Sequence, residues 1–299
     1  MGDRKLRYIV NAPSFDPDSG GTIFLHELAH TLNSLGEEAY VWPMAPIFRQ
    51  GVKSRLWSLI SRPAFDTSPS LNTPLAHKRM FNAPDTVVVY PEIVPGNPMG
   101  AQNVVRWLLY KPGDQHPYSF TEGEMFFRCY EKADLVEVTG GAPDLFLWKV
   151  NRAYQNENRP DRKGVCYIVR KGHRKPRLPE TEAADAIDIN GMSHAEINEV
   201  FNRCERFYSY DEATMYSQFA VLSGCLSIVV PGEYPDRATW NKQHDLSING
   251  IAYGDTSDEI AHALATRDKL LEQLETKEQA GLETVKNFVA LTYERFSLP

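Results

Sequence analysis

The sequence has few cysteines and no C-x-x-C pair. The four are Cys129, Cys166, Cys204 and Cys225, scattered along the chain. Buried, reduced thiols in a cytosolic protein are the simple reading. No apolar stretch approaches the ~18 residues that a membrane-spanning helix requires. The charged start Met1–Arg7 is followed only by Tyr8-Ile9-Val10 before Asn11 and Pro13, too short for a signal-peptide core. Positive charge is not in excess either. The formal net charge is −7, which argues against nucleic acid as the main partner. Internal repeats and low-complexity tracts are missing. What remains is an ordinary globular composition, 42% hydrophobic and 24% charged over 299 residues, a length that suggests two domains.

The most informative stretch is Phe207–Pro231. Phe207-Tyr208-Ser209-Tyr210 has strand character. From Asp211 to Ser223 apolar residues fall at Met215, Phe219, Ala220 and Leu222, a helical spacing. Gly224 stops that helix, and Leu226–Val230 is a continuous apolar run that predicts a strand buried on both faces. The turn between strand and helix is Asp211-Glu212-Ala213-Thr214. A helix that starts just after a strand points unpaired N–H groups beyond the sheet edge, where phosphate is attracted. An ordinary βαβ unit gives the same pattern.

This stretch resembles the donor-binding segment of GT-B glycosyltransferases, in particular the retaining group often called family 4. That group has an acid, seven residues, and then a second acid in a Glu-Ala-x-x-x-Gly block before a buried strand. Asp211 fits the first acid, and Phe219-Ala220-Val221-Leu222-Ser223-Gly224 fits the block. The resemblance implies that Asp211 addresses the donor sugar. The second acid, which holds the ribose hydroxyls in the family, is a phenylalanine here. Either another group holds the ribose, or the enzyme is unusual or impaired.

The first half of the chain opens in the same manner. Leu6–Asn11 reads as a strand, Ala12–Gly21 as a loop, and Thr22 opens a helix that Gly36 ends before a strand at Ala39–Trp42. This is a Rossmann-like opening, and the resemblance implies that Gly20, Gly21 and Thr22 approach the donor or acceptor. Within that helix His26-Glu27-Leu28-Ala29-His30 is a literal H-E-x-x-H, but no third zinc ligand follows it in the pattern of a zinc peptidase. Asp16-Pro17-Asp18 reads as turn chemistry. Residues 47–62 are basic and amphipathic, suited to an anionic membrane surface or to a surface helix. Ala64–Ala83 reads as a long loop over a cleft. Strands are predicted at Thr86–Tyr90, Asn103–Tyr110, Leu135–Thr139 and Leu145–Lys149. His116 falls just after one of them, at the sheet edge where ligands sit.

Polar residues Asn151–Gly164 mark the domain boundary, giving domains 1–155 and 156–299. The second domain opens with Val165–Val169 and then Arg170-Lys171-Gly172-His173-Arg174-Lys175, a cationic loop that suits a diphosphate. In the resembled family an Arg and a Lys at this point hold the donor pyrophosphate, and which of Arg170, Lys171, Arg174 and Lys175 match stays open. Ala186–Ile189 is a short strand, and Ser193 with Glu196 makes a capping box before a helix. Helices follow at Asp258–Leu274 and Leu282–Phe296, and the resemblance implies that the last crosses back to the first domain.

The fold class expected is α/β, two Rossmann-like domains facing a cleft. The resemblance implies an acceptor-binding first domain and a nucleotide-sugar-binding second. It implies a glycosyltransferase of polysaccharide biosynthesis that retains the anomeric configuration. The thiols suit a cytoplasmic protein, at the inner face of a membrane where 47–62 meets lipid. No metal or cofactor is expected, because helix N-termini with Arg170 and Lys171 can supply the positive field. The donor would be a nucleoside diphosphate sugar, and the acceptor a glycan or lipid-linked glycan. The catalytic groups expected are Asp211, Arg170, Lys171 and His116. Gly20, Gly21, Thr22, Arg174, Tyr210, Glu212, Ala213, Thr214 and Phe219 are expected to line the donor. A zinc hydrolase using His26 and His30, and a non-catalytic nucleotide-sugar binder, are the alternatives.

Overall fold

A computed structural model of the chain describes residues 5–17, 19–44, 65–114, 117–244 and 249–297. His116 and the basic segment 47–62 lie outside the described residues.

Apolar, β-branched runs form the first sheet. Its strands are β1 (Arg7–Ala12), β2 (Glu38–Pro43), β3 (Thr86–Pro91), β4 (Asn103–Leu108) and β5 (Met125–Arg128), in the order β2-β1-β3-β4-β5. Every pairing is parallel. All six residues of β3 are buried, as a strand covered on both faces requires. Helix α1 (Gly20–Ser34) lays Leu25, Leu28, Ala29 and Leu32 on one face of this sheet, against Tyr8, Val10, Val87 and Val105.

The second sheet is built the same way from β6 (Val165–Ile168), β7 (Ile187–Asp188), β8 (Arg206–Ser209), β9 (Leu226–Val229) and β10 (Ile251–Tyr253). Its order is β10-β9-β8-β6-β7, again all parallel. A four-residue helix, Pro179–Glu182, follows β6, and the longer helices after it are α2 (His194–Arg203), α3 (Tyr216–Leu222), α4 (Arg237–His244) and α5 (Ser257–Thr266). A final helix, α6 (Leu270–Phe296), brings Val285 and Phe288 into the core of the first sheet. The chain divides into two compact units, Met1–Trp148 with Glu278–Pro299, and Lys149–Lys277.

Two Rossmann-like parallel α/β units are therefore present, as the sequence predicts. In each, the strand order reverses between the first and third strands. Ligands of such sheets sit at the carboxyl ends of those two strands. These ends are Ala12 and Pro91 in the first unit, and Ile168 and Ser209 in the second.

Several local expectations need correction. Leu135–Thr139 is not a strand. Val136–Thr139 is one helical turn that closes on Gly140 at φ 71°, a left-handed cap that suits glycine. Leu145–Lys149 is extended but joins no ladder, although the Leu145 N–H donates to the Arg128 carbonyl at 2.8 Å. The fifth strand is β5, at four residues too short to show in the sequence. Helix α1 begins at Gly20 rather than Thr22. Helix α3 begins at Tyr216, five residues after Asp211. The helix expected over Asp258–Leu274 breaks at the turn Arg267–Lys269. There Thr266 Oγ1 is used twice, donating to the His262 carbonyl at 2.8 Å and accepting from the Gly250 N–H at 2.9 Å.

Candidate functional site

At the carboxyl edge of the second sheet the turn after β6 lies directly on the turn after β8. Arg170–Gly172 form a 3-10 turn, with Arg170 at φ 39°, a left-handed conformation uncommon for a side chain of this size. Gly172 is buried, and a Cβ there would run into the backbone carbonyl of Tyr210. Only glycine permits this approach. Tyr210 is itself fully buried, and its hydroxyl accepts the Leu178 N–H at 2.8 Å and meets Thr181 Oγ1 at 2.6 Å. Arg177 lies over the Tyr210 ring, 4.8 Å from its centroid. Tyr210 is thus a packing residue that fixes the cationic turn.

The next residues form a hydrogen-bonded turn rather than a helix start. Asp211 is 4% exposed, and its Oδ1 accepts the Ala213 N–H at 3.0 Å. Thr214 is buried and its Oγ1 accepts the Tyr216 N–H at 3.3 Å. These bonds place Asp211 in an Asx turn. They also engage the Ala213 and Tyr216 N–H groups, which are then not open helix donors.

Glu212 is the centre of a network that the sequence does not announce. Its carboxylate pairs with Lys175 Nζ at 3.1 Å, and it accepts the Tyr253 hydroxyl at 2.5 Å and the Gly232 N–H at 3.1 Å. Its own carbonyl accepts the Trp240 indole N–H at 2.7 Å. Lys175 also donates to the Val230 carbonyl at 2.5 Å. Burial, with Glu212 beside it, pushes the Tyr253 phenol up to about 12, so it stays protonated and donates. The carboxylate's partners come from beyond β6, from beyond β9 and from the end of β10, distant in sequence. Lys175 is therefore the cation held in place, whereas Lys171 and Arg174 are exposed and form no ion pair among the described residues.

Phe219 sits one turn into α3, half-buried. Its ring stacks on Tyr154 at 4.3 Å and 9°, and meets His194 and Tyr216 edge-on at 6.1 and 5.8 Å. Tyr154 lies near the start of the second unit, in the polar stretch before β6, and its hydroxyl meets His194 Nδ1 at 2.5 Å. Arg170 lies over the far side of this cluster, 5.9 Å from the Tyr216 centroid. The place of the expected second acid is thus taken by an aromatic stack.

In the first unit, Gly20, Gly21 and Thr22 are the first turn of α1, with Thr22 Oγ1 donating to Ser19 Oγ at 2.9 Å. Neither glycine has a positive φ among the described backbone, so they do not make a tight turn. A Cβ on Gly21 would lie 3.9 Å from Leu109 Cδ1. The Leu109 N–H in turn donates at 3.0 Å to Glu92 Oε2. Glu92 follows β3 directly and is 7% exposed. Burial pushes its carboxyl above the usual carboxylate range, against the pull of the Leu109, Glu92 and Tyr110 N–H groups. Sequence reading passed over Glu92, although its position after an all-apolar strand was the available signal.

The two histidines of the H-E-x-x-H do not form a metal site. His26 is fully buried between Phe15 and Phe65, and its Nε2 meets the Pro13 carbonyl at 2.9 Å. Burial holds its pKa below the ordinary value. His30 Nδ1 accepts the Asn72 N–H at 3.0 Å. No group of three or more His, Cys, Asp or Glu side chains among the described residues is placed to hold a metal. No helix among them is long and apolar enough to cross a membrane.

No family model and no curated protein matches the chain. Among solved structures, it is similar to the glycotransferase of kitacinnamycin at 14% identity and a TM-score of 0.45, over 98% of this chain and 100% of that one. MurG of Acinetobacter baumannii is similar at 11% identity and a TM-score of 0.37, over 97% and 100%. A UDP-N-acetylglucosamine 2-epimerase is similar at 10% identity and a TM-score of 0.41, over 97% and 96%.

Proposed function

We propose that the chain is a GT-B-type glycosyltransferase. It moves a sugar from a nucleoside diphosphate to a hydroxyl of a glycan or lipid-linked glycan, with the second unit holding the donor and the first the acceptor. The observation that carries this reading is the docking of a cationic turn onto the Asp211 turn where the second sheet reverses its strand order. Gly172 brings the two turns into contact, and Lys175 is anchored by Glu212 and Val230. Lys171 and Arg174 remain exposed on that turn. Fixed and free cations together at a carboxyl edge suit a diphosphate. They also supply the positive field that a leaving diphosphate requires, which is the reason to propose transfer without a metal.

Asp211 is proposed to meet the donor sugar. Its second carboxylate oxygen is not engaged by the Asx turn. Tyr210 and Glu212 act on the donor only through the loops they hold. The resemblance to the family 4 group carries retention of configuration with it, and the residues of the second unit suit a diphosphate in either stereochemical course. A non-catalytic nucleotide-sugar binder is the second reading. It is favoured by Phe219, whose stack on Tyr154 replaces the family's second carboxylate. Donor binding without turnover would select it.

Binding to the native state raises the melting temperature by mass action. The expected outcome is that UDP, GDP, ADP, CDP or dTDP raises it at millimolar concentration, with or without EDTA. No shift with any of them counts against the donor reading.

A further inference from the structure

The strongest unused group in the molecule is a carboxylate in the first unit. Glu92 stands immediately beyond β3, one of the two strands between which the first sheet reverses its order. That is where a ligand of such a sheet sits. The loop carrying it is held with unusual firmness. Arg106 on β4 is fully buried, and its guanidinium donates to the carbonyls of Pro91, Val94 and Gly96 at 3.2, 2.6 and 2.8 Å. The same guanidinium pairs with Glu124 at 2.8 Å, both side chains fully buried. It lies 5.1 Å from the centroids of both Tyr90 and Phe120. Glu124 thus satisfies the charge of Arg106, and Glu92 is left with backbone N–H donors only.

Around Glu92 the surface is aromatic. Tyr110 and Tyr130 are 42% and 38% exposed. The Tyr130 phenol is pushed up to about 12, by burial first, then by the charges of Tyr110, Cys129, Glu92 and Asp114. The charge of Arg106 acts on Glu92 from β4, and the Leu109 and Tyr110 N–H groups reach its carboxylate from beyond β4. Tyr130, beyond β5, feels the charges of Glu92, Tyr110 and Asp114 together. Flat phenol faces beside a carboxylate suit a sugar ring with a hydroxyl to be oriented. A buried carboxylate whose pKa lies nearer neutrality is a better proton acceptor than a free one.

We propose that Glu92 receives the attacking hydroxyl of a carbohydrate acceptor and takes its proton, with Tyr110 and Tyr130 flanking the acceptor ring. This rests on the glycosyltransferase reading and deepens it. In the step, the acceptor O–H bond breaks and the proton goes to the Glu92 carboxylate. The oxygen's electron pair forms the bond to the donor's anomeric carbon. The anomeric C–O bond to the diphosphate breaks, and its pair leaves on the phosphate oxygen. Direct displacement inverts the anomeric configuration, the opposite of what the family 4 resemblance implies. Phe219 already departs from that group at its second acid.

The test uses the full chain, hexose conjugates of UDP, GDP, ADP, CDP and dTDP, and water as the acceptor. The wild type should release a sugar whose anomeric configuration, read by proton NMR before mutarotation, is inverted. Its kcat should fall on the acid side, with an apparent pKa above that of an ordinary glutamate. Glu92→Gln should lower kcat about 100-fold or more and leave the melting shift with the nucleoside diphosphate unchanged. Glu92→Asp should recover part of the rate, because it keeps the charge. A residue that only staples Leu109 and Tyr110 predicts the reverse rank, since Gln keeps the shape and an accepting oxygen. A retained anomer, no hydrolysis of any conjugate, Gln within about threefold of wild type, or Gln faster than Asp overturns the assignment. If both variants fail to fold, the wild-type anomer and acid limb decide alone. A nucleotide melting shift with full Glu92→Gln activity sinks only the role of Glu92. No shift with any nucleotide removes the donor reading, and this proposal with it.

Discussion

Two adjacent acids of one turn have opposite characters, and the difference is testable. Asp211 uses one oxygen for a local Asx turn, and asparagine can keep that bond. Asp211→Asn should therefore fold with a stability change of about 0.5 kcal/mol or less. If Asp211 meets the donor sugar, the variant should lose at least ~2 kcal/mol of transition-state stabilisation in kcat/KM. Glu212 is different, because it accepts from Lys175, Tyr253 and Gly232 together. The amide of Glu212→Gln would set an N–H donor against one of these donors. The expected loss is about 1–3 kcal/mol by urea unfolding, and wild-type stability in that variant would show that the network carries no load. Asp211 was legible because it stands at a fixed spacing from a glycine and a buried strand. The role of Glu212 was not, because Lys175, Gly232 and Tyr253 reach it from three other strand ends.

At the scale of elements, the close approach of the two turns is the feature with a single point of failure. Gly172 presses its Cα face on the Tyr210 carbonyl, and the obstructing atoms are that carbonyl and the Tyr210 Cβ, none of which a rotamer change can move aside. Gly172→Ala should cost about 1–3 kcal/mol, as overpacking does. It should also abolish the nucleoside diphosphate shift, because the cationic turn would move as a unit. Retention of that shift in a folded Gly172→Ala protein would separate the turn from donor binding. Elements with strong local signals were legible. The capping box is one, with the Ser193 N–H donating to Glu196 at 2.8 Å and the Glu196 N–H to Ser193 Oγ at 3.3 Å. Buried runs such as β3 and β9 are others. The strands β5 and β10 were missed because four and three residues give no periodicity to count. Tyr154 was hidden for another reason. It stands in a polar stretch without period, and only the fold brings it onto Phe219.

At the scale of the whole chain, α6 ties the end of the sequence to its beginning. From Glu278 onward it belongs to the first unit. Phe288 is fully buried there, 5.5 Å from the Tyr8 ring and 4.9 Å from the Phe127 ring. Thr292 Oγ1 meets the Tyr8 hydroxyl at 2.8 Å, and the Tyr293 hydroxyl accepts the Leu6 N–H at 3.1 Å. The first unit therefore cannot complete its core until α6 has been made, whereas the second has its own core in residues 149–277. Phe288→Ala should cost about 3–5 kcal/mol, and the cost should fall on the first unit alone. A nucleoside diphosphate should stabilise the second unit alone, by mass action. Calorimetry of the full chain can tell these apart, since units with separate cores can melt in separate transitions. The expected result is one transition lowered by Phe288→Ala and another raised by the nucleotide. A single transition moved by both would mean that the two units unfold as one, and that α6 couples the stability of the first unit to nucleotide binding.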